Sequence, residues 1–164
     1  MKLYNSSDKD LWSATGIDIK KAPVISVVGA GGKTSLIHHL SCELNRKKIS
    51  HYILTTTHMW PMDGGMFGEQ VGPVDNKGKI GPPSEEVWRK IFSEGRPVLI
   101  ESDGSKCLPC KVPETWEPVL RRETTHVIGI LGMSCLGKTI IKSCHRPERV
   151  AQLLNCSQTH CIQA

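Results

Sequence analysis

Between positions 29 and 35 the chain reads Gly29-Ala30-Gly31-Gly32-Lys33-Thr34-Ser35. Glycines let backbone N–H groups turn inward around an anion, which is the first requirement of a phosphate-binding loop. A lysine then reaches the outer phosphates, and a hydroxyl can ligate Mg²⁺. The residues come in the Walker A order, but as G-x-x-G-K-T, shorter than the usual G-x-x-x-x-G-K-[ST]. Further on, Val98-Leu99-Ile100-Glu101-Ser102-Asp103-Gly104 is an apolar run closing on two carboxylates, the Walker B arrangement. Asp103 is expected to hold the metal with Thr34. Glu101 is expected to be catalytic, orienting or deprotonating a nucleophile. Spacing by two along a strand would send both acids to one face. Thr55-Thr56-Thr57-His58 ends another apolar run, and Thr57 is the candidate for sensing a terminal phosphate. These residues predict binding of ATP or GTP with Mg²⁺, and nothing in the sequence reads the base.

A second stretch, Gly132-Met133-Ser134-Cys135-Leu136-Gly137-Lys138-Thr139, matches the full Walker A pattern. Its inner residues resist the positive φ angles of a phosphate nest. Pro147 also limits the helix that would follow, so this stretch is not expected to bind phosphate. Lys106, Lys111, His145 and Arg146 are candidate phosphate or substrate contacts, although each alone reads as a solvated charge. Among the seven cysteines, Cys107 and Cys110 have CxxC spacing without a second such pair. An odd count argues against a secreted disulfide framework and leaves reduced, partly buried thiols as the simplest reading.

The elements that must hold these residues are legible as changes of period. Val24–Val28, His51–Thr56, Val98–Glu101 and His126–Leu131 are apolar runs of strand length. Leu36, Ile37, Leu40 and Leu44 share one helical face after Lys33. Ser84 caps a helical period through Phe92, Pro147 to Leu154 suits another helix, and Asp8 to Thr15 a short one. Strands alternating with helices predict an α/β fold, a mostly parallel sheet covered on both faces in the manner of P-loop NTPases. The segment from Thr57 to Pro83 is rich in Gly, Pro and Met without a period, as a functional loop or a hidden hairpin would be.

The 164 residues suit a single nucleotide-binding domain over 1–164. No apolar run approaches the length that spans a bilayer, and Met1–Asp10 has no apolar segment of signal type, so a cytoplasmic protein without a membrane partner is expected. The net charge of +5 comes from scattered basic residues, with four Trp, two Tyr and two Phe to stack bases. That pattern suits an anionic small molecule better than nucleic acid.

Taken in order, several landmarks resemble one family, the selenium-dependent hydroxylase accessory proteins labelled YqeC. They are Val27-Val28-Gly29-Ala30-Gly31-Gly32-Lys33-Thr34, Thr55-Thr56-Thr57, Glu101-Ser102-Asp103-Gly104-Ser105, Pro109-Cys110-Lys111-Val112-Pro113, Glu117-Pro118-Val119 and His145-Arg146-Pro147-Glu148. Gly132 with Leu136-Gly137 completes the set. The resemblance covers nearly the whole chain. It implies a P-loop protein acting in the maturation of selenium-containing molybdenum hydroxylases, with such a hydroxylase or its maturation factors as partner. Cys107 and Cys110 depart from the family pattern, and that pattern continues past Ala164, so a C-terminal portion is expected to be absent. Two other functions fit parts of the sequence. An ATP-dependent ligase would use a similarly short Mur-type loop but needs further domains. A non-enzymatic carrier would hold selenium or metal on Cys107 and Cys110.

Overall fold

The computed structural model describes residues 10–62 and 68–163. Its frame is a five-stranded sheet built from β1 (Val24–Ala30), β2 (Tyr52–Thr55), β3 (Glu69–Gln70), β4 (Val98–Glu101) and β6 (His126–Leu131). Their order is β3-β2-β4-β1-β6, and every neighbouring pair is parallel. The mostly parallel α/β expectation holds. The strands carrying the phosphate-loop motif and the acidic motif are direct neighbours, with Val27 opposite Glu101. Glu101 also lies opposite Thr55 of β2, so β2 and β4 end at one level while β1 runs on to Ala30.

Each face of the sheet has its own apolar core. Alternation along β1 and β4 sends Ile25, Val27 and Leu99 to one face. There they meet Ile37, Leu40 and Leu44 of helix α2 (Lys33–Arg46) and Trp12 of helix α1 (Leu11–Thr15). Val24, Val98 and Ile100 go to the other face, against Trp88 and Ile91 of helix α3 (Glu85–Ser93). Two-sided burial explains why these strands read as unbroken apolar runs. The exception is β6, an edge strand. Ile128 and Ile130 pack inward, while Val127 and Leu131 stay exposed, so the expected covering of both faces stops there.

Helix α1 forms where the sequence placed a short helix, although Asp8 and Lys9 of that prediction lie outside the described residues. Its first N–H groups need acceptors from elsewhere. The Asp10 carboxylate serves Trp12 and Ser13, and the buried Glu43 of α2 accepts from Leu11 at 2.8 Å and Trp12 at 3.0 Å. Within the 57–83 segment, Met59 and Ile80 form an antiparallel bridge and bury their side chains in the α2-side core. A smaller unit completes the fold. Two-residue strands β5 (Cys110–Lys111) and β7 (Cys144–His145) pair in parallel, and helices α4 (Ile140–Ser143) and α5 (Pro147–Leu154) follow the edge strand. Among the described residues, no helix is long and apolar enough to cross a membrane.

Candidate functional site

The β1–α2 turn is shaped by its glycines. Gly29 has φ 96° and Gly31 φ 79°, angles that side chains disfavour. A Cβ on Gly29 would lie 2.2 Å from the Ile130 carbonyl oxygen, and one on Gly31 2.7 Å from Gly132 Cα. The turn is therefore locked against the edge strand and the segment after it. Gly32 caps α2 without a side chain, so no cap side chain takes up the first helical N–H groups that an anion site uses.

Lys33 opens α2 with its ammonium folded back into the turn. Nζ donates to the Gly29 carbonyl at 2.6 Å and lies 3.2 Å from Asp103 Oδ1, nearly sealed from solvent. Thr34 donates its hydroxyl to Glu101 Oε2 at 2.7 Å. The reason is strand alternation: Glu101 follows Leu99 on the α2 face, which aims its carboxylate at the start of that helix. Burial pushes the Glu101 carboxyl above its ordinary range, against the opposing pull of the Thr34 hydrogen bond and the Lys33 charge.

Asp103 goes elsewhere, because β4 ends at Glu101 and the alternation ends with it. Its oxygens accept the Gly29 N–H at 2.9 and 3.1 Å, and Oδ2 lies 2.8 Å from Lys111 Nζ. Lys111 is also 3.1 Å from Glu117, which takes a two-pronged hydrogen bond from Arg146 at 2.7 and 3.2 Å. Lys111 and Arg146 are thus members of a largely buried ion-pair chain that runs behind the turn, rather than solvated charges or open ligand contacts. Arg146 holds the Glu117 carboxyl down at about 2.

In front of the turn opens a cavity of about 620 Å³. Gly31 to Ser35, Thr57 and Glu101 line it, so the structure gathers most of the predicted phosphate and metal residues around one space. Thr57 is set there by its backbone N–H donating to Thr55 Oγ1 at 3.0 Å, and that hydroxyl in turn donates to the Glu101 carbonyl. Lys106 and Cys107 reach the cavity on left-handed backbone, with φ 49° and 62°. The cavity also collects His58, Trp60, Lys79 and Ser134, none of which the sequence singled out as contacts. A lysine and a tryptophan inside a long Gly- and Pro-rich loop were the available signal for two of them.

The two cysteines of the CxxC pair have different surroundings. Cys107 is exposed at the cavity, whereas Cys110 belongs with Cys144 and Cys135, where burial and the neighbouring thiols push its thiol up to about 12. All seven thiols are free. The rival Walker-like stretch forms a 3₁₀ turn at Met133–Cys135 followed by a helix of only four residues, with Lys138 exposed. Among the described residues, no cluster of three or more His, Cys, Asp and Glu side chains forms a metal cage. A cation shared between one hydroxyl, one carboxylate and ligand phosphates needs none.

The chain matches the family model described as YqeC protein over residues 25–148. It is 34% identical to the uncharacterized protein YqeC of Escherichia coli (strain K12), an alignment covering 86% of this chain and 65% of that relative. The chain therefore spans about 65% of the length of the curated relative it matches. No solved structure matches it.

Proposed function

The chain belongs to the YqeC family, and from that premise we propose that it binds a nucleoside triphosphate with Mg²⁺ at the Gly29–Ser35 turn. The observation carrying this reading is the Thr34–Glu101 hydrogen bond of 2.7 Å, set at the mouth of a glycine turn that ends on a helix N-terminus. A hydroxyl and a carboxylate in that relation are the two protein groups a phosphate-bound Mg²⁺ takes. The raised Glu101 carboxyl points the same way, since a cation would offset what burial costs it. In this reading Thr34 and Glu101 flank the metal, and Asp103 serves as counter-ion to Lys33. The metal, when bound, neutralises charge on the outer phosphates.

Lys33 releases the Gly29 carbonyl to meet those phosphates and keeps Asp103 beside it as counter-ion, while Ala30, Gly31, Gly32 and Ser35 supply backbone and hydroxyl donors. Glu101 and Thr57 are also the groups available to orient a water, so triphosphate hydrolysis is the reaction this site would support. Either ATP or GTP is compatible. The wider role we assign is accessory to the maturation of selenium-dependent molybdenum hydroxylases in the cytoplasm, resting on the family resemblance alone. Calorimetric titration with ATP, GTP, CTP and ADP, with Mg²⁺ and with chelator, tests the nucleotide reading. Saturable triphosphate binding that strengthens with Mg²⁺ is expected, and no binding by any of the four would overturn it.

A further inference from the structure

Resting on that nucleotide reading, we propose that Trp60 and Lys79 form a second-ligand subsite beyond the outermost phosphate, shaped for a planar aromatic anion. The placement follows from the sheet order. The phosphate turn follows β1, Glu101 ends β4, and the segment leaving β2 lies on the far side of β4 from β1. Lysine and the metal-binding hydroxyl of such a turn address the outer phosphates, so the Glu101 side is where a triphosphate ends. Thr57 to Trp60 and Lys79 therefore line the part of the cavity that the nucleotide itself leaves open.

The two side chains are presented by a built device. Met59 and Ile80 exchange backbone hydrogen bonds of 3.0 and 2.9 Å and anchor in the core. The residues next to them, Trp60 and Lys79, are thereby held side by side toward the cavity. Lys79 is fixed further by its N–H donating to Asp75 Oδ1 at 2.9 Å. Its Nζ sits 5.0 Å from the Trp60 ring centroid, and the indole remains 56% exposed. An indole held this open at a cavity mouth costs apolar exposure and offers a stacking surface. The ammonium beside it, with Lys106 on the same cavity, gives that surface a preference for negative charge. Trp116 is similarly exposed but does not line the cavity.

The test uses ATP derivatives carrying a group on the γ-phosphate: the methylamide, the anilide and the 4-carboxyanilide, each with Mg²⁺. Methylamide and anilide share one charge, so their affinity ratio isolates the ring. An aromatic stack on Trp60 should make the anilide bind about five- to tenfold tighter than the methylamide. It should also quench a fluorescence component that is missing in Trp60→Phe. Trp60→Ala should bring the ratio to about one. The carboxyanilide should gain a further few-fold, and Lys79→Ala should remove that gain. Equal binding of methylamide and anilide, with ATP still binding, overturns the subsite alone. Quenching of Trp60 by ATP equal to that by the anilide also overturns it, by making the indole a platform for the base. Failure of ATP to bind overturns the nucleotide reading, and the subsite with it.

Discussion

Lys33, Asp103 and Lys111 form a buried triad in which one carboxylate serves two ammoniums, and this separates the roles of the two acids at the end of β4. Asp103 and Lys111 are each 1% exposed and Lys33 is 4% exposed, so removing the shared charge takes the ion-pair partner from a desolvated Lys33 and leaves Lys111 with Glu117 alone. Asp103→Asn is expected to cost about 3 kcal/mol of stability in urea titrations. Glu101→Gln should behave differently. It keeps an acceptor for Thr34 but loses the charge, so metal-free nucleotide affinity should hold while the gain from Mg²⁺ disappears. A full Mg²⁺ effect in Glu101→Gln would return the metal to Asp103. Lys33→Ala should weaken nucleotide binding about tenfold to a hundredfold, the scale of a charge-assisted hydrogen bond. Lys138→Ala, on the exposed rival stretch, should leave that affinity unchanged in the same calorimetric series.

Between elements, the device joining α1 to α2 is a buried carboxylate used as a helix cap. Glu43 supplies the acceptors that the N-terminus of α1 lacks, so Glu43→Ala should loosen α1 and lower stability by about 1–2 kcal/mol. Exposure of Trp12, whose indole donates to the Leu40 carbonyl at 2.9 Å, would report the change as a red-shifted emission. The strands β1, β2, β4 and β6, together with α2, α3 and α5, were legible because burial writes an apolar run into each strand and a helical period into each helix. The strands β3, β5 and β7 were not, since two residues are too few to alternate. The glycine turn was legible as a motif because its constraint is local: φ angles and close backbone approach. Which carboxylate met Thr34 was not, because it depended on where β4 stopped. Nor was the meeting of Trp60 with Lys79, which a pairing of Met59 with Ile80 brings about across the intervening loop.

Across the whole molecule, one line of alternating charge ties the glycine turn to the small unit of β5, β7, α4 and α5. It runs from Lys33 through Asp103, Lys111 and Glu117 to Arg146, the residue preceding α5. Glu117 is a link whose contribution depends on pH. Arg146 above all, and Lys111 after it, hold its carboxyl at about 2 against an ordinary 4.5. A carboxyl lowered by folding releases its proton more readily in the native state than in the unfolded one. Its contribution is therefore complete above pH 4.5 and is lost as pH falls toward 2. Partial solvation keeps the size of that contribution to about 1 kcal/mol. Glu117→Gln should be less stable than the native chain at pH 6, and the difference should shrink steadily once the pH drops below 4.5. Urea midpoints of both proteins across that range provide the measurement. A gap that stays constant down to pH 2 would mean that Glu117 contributes by shape alone. Closure of the gap would instead show that its charge, shared between Lys111 and Arg146, joins the small unit to the glycine turn.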